Sequence, residues 1–101
     1  MTVNKKIIEL EGQRGALQIM LALYQNGEIL YANLYNNKPL VEISNNSTAK
    51  RALDVLLRHG LVSQRDADGK RKATYYSLTD KGQRIAKLII EIADLLNDYG
   101  S

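Results

Sequence analysis

Asn45, Asn46, Ser47, Thr48, Lys50, Arg51 and Arg58 are gathered in one short stretch of the chain and interleaved with Ala49, Ala52, Leu53 and Leu56. The apolar four follow i, i+3, i+4, i+7, a spacing that predicts the inward face of a helix. Asn46, Ser47, Lys50, Arg51, Asp54 and Arg58 are then left together on the outward face. Amide, hydroxyl, ammonium and guanidinium groups on one helix face are the side-chain types that hydrogen-bond base edges and phosphate oxygens in a DNA major groove. The small polar residues from Ser44 to Thr48 suit the start of such a helix, and Gly60 suits its end. Ser47 and Thr48 read either as caps or as phosphate contacts, because a helix N-terminus serves both.

Two strand-like runs follow directly, Leu61 to Arg65 and Ala73 to Leu78, around a turn in which Asp68-Gly69 supplies the turn chemistry. The same turn carries Lys70, Arg71 and Lys72. Three consecutive cations at a hairpin tip suit a loop that tracks the phosphate backbone or enters the minor groove. Tyr75 and Tyr76 must project to opposite faces of their strand, so Tyr76 is expected in the core with Leu78 and Tyr75 outside.

Catalytic chemistry finds little support. There is no cysteine, which removes disulfides, thiolate metal sites and cysteine nucleophiles together. His59, the one histidine, stands beside the glycine that ends a helix, where a cation complements the dipole. Asp66 and Asp68 read as turn formers. No phosphate-cradling glycine loop or metal-ligand cluster is present. No enzymatic activity, catalytic residue, metal ligand or cofactor is therefore expected.

The order of these landmarks resembles the winged helix-turn-helix of MarR-like and PadR-like transcriptional regulators. Ser47-Thr48, Arg51-Ala52-Leu53, Gly60-Leu61-Val62 and Leu78-Thr79-Asp80-Lys81-Gly82 carry the resemblance. It implies a recognition helix in the major groove, with Lys50 at a position from which such regulators reach a base edge, and a basic wing on the backbone. The chain departs from the simple motif between Asn37 and Asn45, a connection longer than the turn of about three or four residues that joins the two helices of a helix-turn-helix.

The remaining elements have to position this surface. Val3, Ile7, Ile8 and Leu10 near the N-terminus read either as a helical face or as an arm lying across a partner. From Gln13 to Asn26, Ala16, Leu17, Met20, Leu21, Leu23 and Tyr24 predict the first core helix, ended by Gly27. Ile29, Leu30, Leu34 and Tyr35 suit a short second helix or a segment that begins extended, and Pro39 breaks it. Thr79 reads as the N-cap of a last helix running to about Asp98. In that helix Ile85, Ile89, Ile92, Leu96 and Tyr99 are spaced 4, 3, 4, 3 as a heptad seam. Leu88 widens the apolar surface beyond what one small core can cover, so a partner copy is expected to pack on Ile85, Leu88, Ile89, Ile92, Leu96 and Tyr99.

A chain of 101 residues has room for one domain. The expected architecture is mainly α with a small β-hairpin, a winged helix-turn-helix core over residues 1–79 and a C-terminal dimerisation helix over 80–99. A net charge of +3 and a pI near 9.2 permit a polyanionic partner without demanding one. The N-terminus lacks the apolar run of a signal peptide and no stretch is apolar over the ~18 residues of a membrane span, so the expected compartment is the cytoplasm. These expectations point to a homodimer on double-stranded DNA, acting as a transcriptional regulator. A sequence-tolerant architectural DNA-binding protein and a winged-helix protein-interaction module are the alternatives.

Overall fold

The computed structural model describes residues 4–36, 40–67 and 73–98. Helix α1 spans Lys5–Gly12, α2 Ala16–Asn26, α3 Asn46–Arg58 and α4 Asp80–Leu96; strands β1, β2 and β3 span Ile29–Leu30, Val62–Ala67 and Ala73–Leu78. The mainly helical architecture with a small hairpin is thus the one expected. Two of its parts decide alternatives that the sequence left open.

The first is α1, which decides between helix and arm. Asn4 Oδ1 accepts hydrogen bonds from the backbone N–H groups of Lys6 and Ile7, at 2.8 and 3.2 Å, satisfying two of the donors that a helix start leaves open. No residue of α1 is buried, and Ile7 and Ile8 are exposed.

The second is the segment after α2. Gly27 ends that helix with φ +76 and turns the chain into an extended conformation, so Ile29 and Leu30 pair with Tyr76 and Tyr75 as a third strand instead of opening a helix. A single 3-10 turn, Tyr31–Asn33, stands where the apolar spacing also suited a short second helix. Leu34 follows it fully buried and ties the turn to the core. The sheet order is β1-β3-β2, all antiparallel, with Val62 opposite Leu78 and Ala67 opposite Ala73.

The core lies between α2, α3 and the sheet. Ala16, Ile19, Met20 and Leu23 form the inward stripe of α2 at helical spacing, against Ala49, Ala52, Leu53 and Leu56 of α3. The stripe on α2 differs from the one its spacing predicts: Leu17 and Tyr24 are exposed, and Ile19 and Ala22 take the buried places. Tyr76 is buried as expected.

Helix α3 ends in a Schellman motif. Leu61 N–H donates to Leu56 O and Gly60 N–H to Leu57 O, both at 3.0 Å, with Gly60 at φ +69. Helix α4 begins against that same turn. The Thr79 hydroxyl donates to Gly60 O at 2.6 Å and accepts from Gly82 N–H at 3.0 Å, while Thr79 N–H donates to Leu61 O at 3.0 Å. Thr79 is therefore the cap that its sequence context predicts, and it also fastens α4 to the end of α3. Gly82 permits the approach, because a Cβ there would sit 1.9 Å from Leu61 O.

Candidate nucleic-acid interface

Asn45, with φ −121 and ψ 123, caps α3 through its carboxamide: Oδ1 accepts from Ser47 N–H at 2.7 Å and from Thr48 N–H at 3.4 Å. The cap is thus Asn45, and neither Ser47 nor Thr48 fills that role. Beyond it the helix is sharply two-sided. Ala49, Ala52, Leu53, Val55 and Leu56 are buried, whereas Asn46, Ser47, Lys50, Arg51, Asp54 and Arg58 are exposed. The outward face expected from spacing is the outward face of the structure.

These exposed groups differ in how free they are. The Arg51 guanidinium folds back along the helix and donates from Nε to Ser47 O at 3.3 Å. Arg58 stands three turns further on, roughly 18 Å from Asn46 at 1.5 Å per residue, and its guanidinium lies 2.8 Å from Glu9 of α1. His59 Nε2 is 3.4 Å from the same carboxylate oxygen. Of the positive groups on α3 itself, Lys50 and Arg51 are therefore nearest its start, and Arg58 is held by α1 at the far end.

Two shallow clefts flank α3. One, of about 310 Å³ between α3 and the sheet, is lined by Tyr31, Lys50, Asp54, Gln64, Thr74 and Tyr76, among others. The other, of about 260 Å³ at the helix start, brings Arg14 beside Ser44, Asn45 and Thr48. Sequence reasoning missed Arg14, Tyr31, Gln64 and Thr74 as neighbours of this surface. Tyr31 reaches it from the 3-10 turn, its hydroxyl donating to Asn46 Oδ1. Its ring is tilted against those of Tyr35 and Tyr76, with centroids 5.5 and 6.1 Å apart. Burial, and behind it the neighbouring Tyr35, Tyr76 and Asp54, pushes the Tyr31 phenol above its ordinary value. One signal was available: all six aromatic residues are tyrosine, with no phenylalanine or tryptophan. An aromatic position packed into a protein that carries a hydroxyl usually spends it on a partner.

The expected wing tip, Lys70, Arg71 and Lys72, lies outside the described residues. Its base is well braced. Arg65 donates twice to the Glu28 carboxylate, at 3.0 and 2.7 Å, and its guanidinium carbon is 4.8 Å from the Tyr75 ring centroid. That hydrogen-bonded guanidinium holds the Glu28 carboxyl below its ordinary value. The Thr74 hydroxyl donates to Asp66 at 3.0 Å. Tyr75 projects outward as predicted and packs on its own Arg65.

The apolar seam of α4 divides in two. Ile85 and Ile89 pack against the chain's own core, whereas Leu88, Ile92, Leu95 and Leu96 are 58, 57, 74 and 81% exposed. Tyr99 lies outside the described residues. Among the described residues no His, Cys, Asp and Glu group is placed to hold a metal ion, and no helix is long and apolar enough to cross a membrane.

No protein-family model and no curated protein matches the chain. Solved structures do. A protein described as a transcriptional regulator of the MarR family from Porphyromonas gingivalis W83 superposes with a TM-score of 0.77 at 19% identity, over 98% of this chain and 99% of that one. The reduced form of the transcriptional regulator YodB from B. subtilis gives 0.74 at 17% identity over 100% and 97%. AF1382 from Archaeoglobus fulgidus gives 0.68 at 23% identity over 91% and 98%. With its capped α3, its hairpin and its long last helix, the chain has the winged helix-turn-helix fold of the MarR-type regulators.

Proposed function

We propose that the protein is a DNA-binding transcriptional regulator that acts as a homodimer, with α3 in the major groove and the β2–β3 wing on the phosphate backbone. The observation that carries this reading is the outward face of α3. Asn46, Ser47 and Lys50 stand on its exposed first turns, at the end where the helix dipole favours phosphate. Structural neighbours described as transcriptional regulators support the same reading. The exposed Leu88, Ile92, Leu95 and Leu96 on α4 support a second copy as the cover of that helix.

Selecting bound sequences from a random DNA pool, followed by salt titration on selected and random duplexes, tests the proposal. A regulator binds selected sites at least about a thousandfold more tightly than random DNA. Equal binding to both would make the protein an architectural, sequence-tolerant binder, and no binding to either would leave a protein-interaction module. Lys50→Ala should cost about 1–3 kcal/mol on the selected site and much less on random DNA, because a base-reading side chain discriminates only where the right base is present.

A further inference from the structure

We infer that Tyr31 is a specificity-determining positioning residue, holding the Asn46 carboxamide by its oxygen so that the amide nitrogen faces outward and selects a hydrogen-bond acceptor on a base edge. The inference rests on the reading of α3 as a DNA-recognition helix and names what one of its residues reads.

The argument begins with what an exposed asparagine does when nothing holds it. Its carboxamide carries an acceptor oxygen and a donor NH₂, and a half-turn of the terminal torsion exchanges them. A bidentate contact to adenine uses both ends at once. In this chain the oxygen of Asn46 is already engaged, because the Tyr31 hydroxyl donates to it across fifteen residues of sequence. The phenol itself is held in place. Tyr31 follows directly on β1, whose Leu30 pairs with Tyr75, and its ring is wedged between Tyr35 and the buried Tyr76 of the central strand. The hydroxyl is thus fixed to the sheet, and through it the head of Asn46 is fixed as well.

Asn45 repeats the pattern. Its Oδ1 is spent on the Ser47 and Thr48 N–H groups as the helix cap. Two successive carboxamides at the start of α3 therefore commit their oxygens inward and keep their NH₂ groups for a partner. Guanine N7 and O6 and thymine O4 are acceptors in the major groove, whereas the cytosine amino group is a donor and adenine sets its N6 donor beside its N7 acceptor. The position that Asn46 meets should accordingly favour guanine or thymine. Burial holds the Tyr31 phenol above its ordinary value, which favours the protonated, donating form.

The test compares wild type, Tyr31→Phe, Asn46→Ala and the double variant by competition binding to the selected site, to its single base-pair variants and to random duplex, with thermal melting alongside. Tyr31→Phe keeps the ring and removes one hydrogen bond. It should melt close to wild type, bind random DNA equally well, and lose roughly three- to tenfold in discrimination at one base-pair position, the span expected for one net hydrogen bond. Adding Asn46→Ala to Tyr31→Phe should change discrimination less than Asn46→Ala does alone. A second variant, Asn46→Asp, keeps the acceptor for Tyr31 and replaces the outward donor with an acceptor, so the preference at that position should move toward cytosine. Unchanged discrimination in Tyr31→Phe, additive effects of the two substitutions, or an Asn46→Asp variant that keeps the wild-type preference would overturn the inference while leaving DNA recognition standing. A wild type that selects no sequence would overturn both.

Discussion

Replacing Gly82 with alanine pits two effects of opposite sign against each other at the start of α4. On helix propensity alone the change should stabilise, since glycine inside a helix costs about 0.5–1 kcal/mol relative to alanine. The structure argues the reverse. The new Cβ would lie 1.9 Å from Leu61 O, 2.9 Å from Leu61 C and 3.2 Å from Leu78 Cδ2. The first two of these are backbone atoms of a residue only 1% exposed, and the carbonyl is pinned by the 3.0 Å bond from Thr79 N–H. Relief requires α4 to lift away by more than an ångström, and overpacking of this kind costs about 1–3 kcal/mol. Lifting also stretches the bonds from Thr79 to Leu61 O and Gly60 O, at about 0.5–1.5 kcal/mol each. Against a propensity gain of about 1 kcal/mol, the net loss should be about 3 kcal/mol. For a domain of this size 1 kcal/mol moves the midpoint by roughly 4–8 °C, so Gly82→Ala should lower Tm by roughly 12–24 °C at fixed protein concentration. Gly12→Ala is the control, because nothing lies within 4 Å of its Cβ, and its melting should be unchanged or slightly raised. A Gly82→Ala protein that melts at or above wild type would refute the close approach of α4 to Leu61.

Three further outcomes are expected. Leu88→Lys with Ile92→Lys should convert a dimer to a monomer by sedimentation without unfolding the protomer, since both side chains are more than half exposed and each aliphatic contributes roughly 1.5–3 kcal/mol once buried; a variant still dimeric at micromolar concentration would place the interface off α4. Neutralising Lys70, Arg71 and Lys72 together should weaken selected and random DNA about equally and flatten the slope of log K against log salt by roughly 0.9 for each phosphate the wing no longer neutralises; an unchanged slope would detach the wing from the backbone. The Glu28 carboxyl is held below its ordinary value of 4.5 by Arg65, so its contribution to stability is present above pH 4.5 and disappears as the pH falls through the lowered value. Glu28→Gln should therefore flatten the acid side of the Tm-against-pH curve, and parallel curves would show that the pair is energetically silent.

How much of this was legible in the sequence depended on the range of the signal. The faces of α3, the Thr79 cap, the hairpin and the inward Tyr76 all follow from periodicity or from a cap within a few residues, and each stands where its pattern puts it. The 3-10 turn did not announce itself, because Ile29, Leu30 and Leu34 carry apolar spacings that fit a helix as well as a strand. What decided between them was the pairing of Ile29 and Leu30 with Tyr76 and Tyr75, some forty-five residues away. Periodicity carries no record of such a partner. The same holds for Arg58, whose charge is answered by Glu9 from another helix, and for Asn46, whose oxygen is answered by Tyr31. In the last helix the heptad was real, but a repeat does not say which of its members a chain keeps for itself. Ile85 and Ile89 went to the core, and Ile92 and Leu96 stayed outside.

The junction at Gly60, Leu61, Thr79 and Gly82 has a mechanical meaning. Two helices that share a carbonyl, a hydroxyl and a Cβ-free approach resist pivoting about that junction, so α3 is expected to follow α4. In a dimer joined along α4, the separation of the two α3 helices is then set by how the two α4 helices cross. If such a dimer binds an operator, a change in its affinity is expected to come from a change in that crossing, with each protomer turning as a body. Half-site spacing would then gauge the geometry of the proposed dimer, with permitted spacings in a narrow set around multiples of roughly 34 Å, one turn of the duplex.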